Sequence, residues 1–211
     1  GDGRVTCSTI HGAASGLTGA LPALNAASLT QIPAANIVGV CTSGLTKTGG
    51  FSLPTDIDAW AVSSPYSASS GSNTMTSNWY QFSTASDTHF PKIGDSMSQS
   101  SGIWTFPKTG IWTVDFVLGC YNVDNNSGTY FGFQMFFSTD TGSNYDRIYT
   151  AYGNMTNDDD HGELFVRAYI DVTNVSTNRL KFNTNMAASK TIFGDADELR
   201  TGAIFTRIGD T

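Results

Sequence analysis

From Trp112 to Cys120 every second side chain is apolar: Trp112, Val114, Phe116, Leu118 and Cys120, with Thr113, Asp115 and Gly119 among those between them. A period of two over this length places one set of side chains on one face of an extended chain and the other set on the opposite face. The stretch is therefore predicted to be a half-buried β-strand. The preceding run, Gly102 to Phe106, reaches it through Pro107 and Gly110, the punctuation expected of a turn between two strands.

The same period recurs along the chain. Residues 56–62 alternate Ile57, Ala59 and Ala61 against Asp58, Trp60 and Val62. A Ser/Gly/Asn loop is expected at 63–77, and short extended pieces at 79–82 and 88–93. Residues 130–137 are apolar on both faces, with Phe131, Phe133, Met135 and Phe137 on one and Tyr130 and Phe136 on the other, so this strand is predicted to be covered on both sides. Strands are also expected at 147–152, 163–172, 179–186 and 201–208, the last of them central in a sheet. About ten short strands with turn signals between them and no convincing helix indicate an all-β sandwich or barrel.

Residues 1–50 differ from the rest. Between Gly12 and Gly50 there is no aromatic residue, and Lys47 is the one charged side chain. Leu17, Leu21, Leu24, Leu29, Ile32 and Ile37 recur at three to five residues, but Pro22 and Pro33 argue against a long helix. An uncharged, apolar extended arm is expected to be buried against something outside its own domain, first of all other copies of the chain. The predicted organisation is an anchoring arm at 1–50 and a β head at 51–211.

Charged residues make up 14% of the chain, against roughly a quarter in ordinary soluble domains. A surface made polar by Ser, Thr, Asn and Gly suits an extracellular or particle-bound protein. With a formal charge of −7 and 11 basic residues, there is no footprint for phosphates, and nucleic-acid binding is not expected. No run approaches the ~20 apolar residues of a membrane span, so membrane insertion is not expected either. Cys7, Cys41 and Cys120 form no metal-ligand spacing; Cys120 continues a buried face, and Cys7 and Cys41 could cross-link chains.

The phrases DIDAWAV, THFPKIG, GIWTFPKTGIWTVDFVLG and GAIFTRIG together resemble the globular head of the C1q/tumour-necrosis-factor superfamily. The family phrase of the type F-x-x-P-x-x-G-x-Y-x-F is echoed by Phe106, Pro107, Gly110, Trp112, Val114 and Phe116, with altered spacing. An aromatic-Gly pair expected near the final strand is replaced by Thr201 to Phe205. The resemblance implies a C1q/TNF-like jelly-roll β-sandwich of about ten strands that assembles as a homotrimer. Tyr130, Gly132, Phe136 and Phe205 are the residues it suggests for the trimer interface. The arm, LTGALPALNAASLTQIPAANIVGV, is similar to segments of bacteriophage tail-fibre and other virion proteins, notably of cyanobacterial phages. That likeness implies a place on a virion, with the arm attached to other tail or capsid proteins.

None of His11, His89 and His161 lies in a nucleophile motif, and no enzymatic activity is expected. The run Asn157, Asp158, Asp159, Asp160, His161, Gly162, Glu163 is either a solvated loop tip or a hard-cation site, in which Asp158, Asp159 and Asp160 would ligate calcium. Asp140, Gly142, Asn144 and Asp146 repeat oxygen ligands like part of a calcium loop, without its distant glutamate. No other cofactor is expected. Tyr145 and Tyr152 flank turns among Asn and Asp and are candidate ligand-binding residues for a sugar face; Trp60 and Trp104 read as core. The leading expectation is a non-enzymatic, homotrimeric virion protein, a tail-fibre or surface appendage that contacts host surface glycans. The alternatives are a capsid cement or decoration protein and a secreted lectin-like binding module.

Overall fold

The computed structural model describes residues 54–82, 90, 92–122, 129–157 and 159–211. The arm residues Leu17, Leu21, Leu24, Leu29, Ile32 and Ile37, together with Cys7, Cys41, His11, His89 and Asp158, lie outside the described residues.

Thirteen antiparallel strands form among the described residues: β1 (Asp56–Val62), β2 (Tyr66–Ala68), β3 (Gly71–Thr74), β4 (Trp79–Gln81), β5 (Ser98–Ser100), β6 (Ile103–Thr105), β7 (Gly110–Tyr121), β8 (Tyr130–Ser138), β9 (Asp146–Asn154), β10 (His161–Val172), β11 (Arg179–Met186), β12 (Lys190–Ile192) and β13 (Gly202–Gly209). They build two sheets. The first runs β2-β12-β7-β13-β1-β4 with β10 also on β7; the second runs β5-β6-β11-β8-β9 with β3 also on β11. One edge of β7 is paired along its whole length with β10, and its other edge is shared by β13 and β12. The last strand of the chain lies between β7 and β1, the central place expected for it.

The expected alternation of β7 is realised: Trp112, Val114, Phe116, Leu118 and Cys120 are all fully buried. They meet Phe131, Phe133 and Met135 of β8 and Leu180, Phe182 and Met186 of β11 across the sandwich. Phe116 stacks on Phe182 with centroids 4.5 Å apart, and Trp104 packs at right angles to Trp60 and Trp79 at 5.0 and 4.9 Å. Aromatic pairs in this geometry add about 0.5–1.5 kcal/mol each to their area burial.

The strand count exceeds the expected ten because β2 and β3 form within the stretch expected to be loop, and β5 and β12 in stretches where no strand is expected. β5 and β6 form a hairpin whose two central residues, Ser101 and Gly102, have φ of 50° and 77°. Positive φ at both positions matches the right-handed twist of the flanking strands. A side chain at Gly102 would strike the Met75 carbonyl.

Two carboxylates are buried on β1. Asp56 accepts from the Asp95 amide at 2.7 Å and from Lys108 Nζ at 2.8 Å. Burial pushes the Asp56 carboxyl up, but Lys108, the Asp95 amide and Thr55 outweigh it and hold the group below its ordinary range. Asp58 accepts from Trp60 Nε1 and the Met97 amide on one oxygen and from Gln81 Nε2 on the other. Together they fasten the chain around Asp95 and Met97 to β1.

Candidate binding surface

The outward face of the second sheet is set by register. On β8, Tyr130, Gly132, Gln134 and Phe136 alternate with the core residues. On β9, Tyr152 lies opposite Gly132; on β11, Asn183 lies opposite Gln134 and Lys181 opposite Phe136. The missing side chain at Gly132 is what Tyr152 occupies. A Cβ there would meet the Ala151 carbonyl and lie 2.6 Å from Tyr152 Cδ1, so the ring reclines across the glycine. Asn185 Nδ2 donates to Tyr152 Oη at 2.9 Å, and Tyr130 packs edge-on to the ring at 5.4 Å. Held on three sides, Tyr152 still exposes 54% of its surface.

Polar groups beside it are fixed as well. Ser72 Oγ donates to Gln134 Oε1 at 2.7 Å, Asn183 Nδ2 donates to Ser72 Oγ at 2.9 Å, and Thr74 Oγ1 donates to Asn183 Oδ1 at 3.0 Å. Gln134 and Asn183 are buried although they lie on the outward face of the sheet. A connected network of this kind makes the surface rigid.

Tyr145, the second expected ligand residue, is on the same side but differently occupied. Lys181 Nζ lies 4.1 Å from its ring centroid and 5.2 Å from that of Phe136. Burial raises the Tyr145 hydroxyl above its usual pKa, the Arg179 charge opposes this and the Asp140 charge adds to it. Tyr145 thus closes over Lys181, and Tyr152 presents the freer ring.

The residues suggested for the trimer interface divide. Tyr130 and Phe136 are half-buried on this outward face. Phe205 is corrected: it pairs with Val114, faces inward and is fully buried. Gly132 is corrected too, since Tyr152 and Ala151 cover it. The second face of β8 is therefore largely closed by the chain's own side chains. The most exposed large apolar side chains among the described residues lie on β10, where Phe165 and Tyr169 are 59% and 67% exposed on the outward face of the first sheet. Between them Arg167 grips Asp115 through two hydrogen bonds of 2.6 and 2.7 Å. Neither Phe165 nor Tyr169 is among the residues that the family resemblance suggests for the trimer interface.

The acidic turns are built by their own backbone. Asp160 accepts from the amides of Asn157 and Thr156 at 2.7 and 3.0 Å, and the Asn157 amide is the main cause of its lowered pKa. Asp159 has φ of 58°, and its carbonyl accepts from His161 Nδ1 at 2.7 Å. Asp140 accepts from the Asn144 amide, Ser138 Oγ and Asn144 Nδ2, which hold its pKa at about 2. The Asp140 carboxylate and Asp160 Oδ2 are thus committed to their own turns. Among the described residues no three His, Cys, Asp or Glu side chains converge as metal ligands.

No protein-family model matches the chain, and no curated protein matches it. Solved structures do. An Eiger TNF from S. frugiperda superposes with a TM-score of 0.54 at 11% identity, covering 74% of this chain and 95% of that one. Murine APRIL at pH 5.0 superposes with a TM-score of 0.50 at 10% identity, covering 72% of this chain and 98% of that one. At this identity the likeness establishes the fold, an all-β, TNF-like jelly roll. It also corrects the virion, bacteriophage, tail-fibre and capsid expectations, which rested on the style of the arm: the structures that share the fold are animal TNF-family proteins.

Proposed function

We propose that the chain is a non-enzymatic extracellular binding module, lectin-like in action, that meets a glycan on the outward face of its second sheet. The observation that carries this reading is Tyr152, a large exposed ring immobilised by Gly132 beneath it, Asn185 at its hydroxyl and Tyr130 at its edge. An aromatic ring already held in place loses little freedom when a ligand stacks on it. Asn185 and the hydroxyl groups of Ser72 and Tyr152 supply directional donors and acceptors of the kind sugar hydroxyls require, on a base that the buried Gln134 and Asn183 hold rigid. The low charge of the chain suits an extracellular surface.

The module is further proposed to act as a homotrimer. Phe165 and Tyr169 support this, because rings so exposed on the face of a sheet mark an association surface. The apolar residues 12–50, with Lys47 their one charged side chain, would add to the same association. A glycan array with the full chain and with Tyr152→Ala tests the binding. Saturable binding to a subset of glycans, lost in the variant, is expected; absence of binding, or binding unaffected by the substitution, would overturn the reading.

A further inference from the structure

A second cavity, remote from Tyr152, opens on the outward face of the first sheet with a volume of about 410 Å³. This is the size of a small-molecule site, roughly 300–1,000 Å³. Its floor is Gly119 of β7. Glu163 of β10 is the register partner of Gly119 on one side. On the other side a Cβ at Gly119 would lie 2.8 Å from the Arg200 carbonyl oxygen and 3.0 Å from Phe193 Cδ2. A side chain at this position would press on the Arg200 carbonyl and the Phe193 ring that close the cavity on this side.

The walls are fixed. Phe193 donates its amide to the Gly119 carbonyl at 2.9 Å, and Thr201 Oγ1 bonds both the amide and the carbonyl of Gly119. The His161 ring stacks nearly parallel to Phe193 and Tyr121, with centroids 5.4 and 5.7 Å away. Leu199 completes an apolar side with Phe193. Arg200 is ion-paired with Glu198, donating Nε at 2.9 Å, and lies 3.9 Å from Asp195, while its terminal amino groups make no hydrogen bond among the described residues. Glu163 forms no ion pair among the described residues.

Glu163 and the terminal amino groups of Arg200 therefore line the cavity with opposite charges and with hydrogen-bonding capacity left over. A monoanion would meet Glu163 unfavourably, and a monocation would meet Arg200. A neutral polyol would strip water from both charges and return only neutral hydrogen bonds, about half as strong as charge-assisted ones. A ligand with one charge of each sign satisfies both walls. We propose that this cavity binds a small zwitterion of the α-amino-acid type: its ammonium group on Glu163, its carboxylate on the terminal amino groups of Arg200, and an apolar side chain against Phe193 and Leu199. The site uses none of the residues around Tyr152 and stands independently of the glycan reading.

The test is calorimetric titration of the full chain, in the oligomeric state it adopts, with L-leucine, N-acetyl-L-leucine and L-leucinamide. L-Leucine should bind saturably, and each derivative, lacking one charge, should bind about tenfold more weakly. Glu163→Gln should erase the preference over N-acetyl-L-leucine alone, and Arg200→Gln the preference over L-leucinamide alone. Tyr152→Ala should leave all three titrations unchanged, so the two proposals fail separately. Absence of L-leucine binding up to about 10 mM, equal binding of the three compounds, or unchanged selectivity in either charge variant would overturn the proposal.

Discussion

Replacing Asp58 tests whether the buried carboxylates of β1 hold the head together through geometry or through charge. Asp58 is fully buried, and its two oxygens receive three donors: Trp60 Nε1 at 2.8 Å, the Met97 amide at 2.7 Å and Gln81 Nε2 at 2.7 Å. Alanine removes both oxygens at once. The Met97 amide has nowhere to turn, while Trp60 and Gln81 lie nearer the surface and recover some hydration. With about 1–3 kcal/mol for each stranded donor, the alanine variant should lose about 3–5 kcal/mol, a large share of the 5–15 kcal/mol typical of a domain.

Asparagine gives a different sum. Its amide oxygen can stay where two donors converge, and its amide nitrogen then faces Gln81, whose own amide can rotate to present an oxygen. No donor is stranded, so the expected loss falls to about 1 kcal/mol, the difference between charge-assisted and neutral bonds. Adding Gln81→Met to the asparagine variant should remove this accommodation and cost about 1 kcal/mol more. Urea denaturation at neutral pH, compared through midpoints at a common slope, reads all three. Equal losses for alanine and asparagine, or an alanine loss below about 1 kcal/mol, would refute the reasoning.

Other perturbations follow from the same geometry. The Asn144 amide is the main cause of the low pKa of Asp140, so its contribution to stability is present above the ordinary carboxylate range and lost as pH falls through about 2; melting temperatures of wild type and Asp140→Asn should therefore converge as pH is lowered from about 5 to about 2. Gly132→Ala sets a methyl group against the Ala151 carbonyl and the Tyr152 ring; it should cost about 1–3 kcal/mol in urea and lower glycan binding by displacing the ring. Phe165→Ser combined with Tyr169→Ser should shift the sedimentation coefficient from trimer to monomer while circular dichroism stays unchanged; a wild-type chain that sediments as a monomer at micromolar concentration would dispose of the trimer proposal.

The longer strands were legible because their alternation spans eight residues or more: β7, β10, β11 and β13 lie within two residues of their expected limits. β2, β3, β5 and β12 were not, because strands of three or four residues such as SQS or GSNT carry too few apolar side chains to show a period. Phe205 was assigned to the wrong side for a related reason. Alternation says which residues share a face, but the inward face is fixed only by the register of Phe205 with Val114. Tyr145 and Tyr152 were recognisable as aromatics beside turns, whereas their partners Lys181 and Asn185 lie more than thirty residues further along and come beside them only through pairing of β8 with β9 and β11.

The position of β13 between β7 and β1 also governs how the head is made. Neither neighbour can complete its ladder on that side until residue 209 has left the ribosome, so the nascent first sheet waits, open along its middle, for β13 to arrive. Premature termination within this strand would thus leave two unpaired edges at the centre of the sheet rather than a shortened rim, and a polypeptide that stops before residue 202 should emerge as aggregate, not as a smaller head.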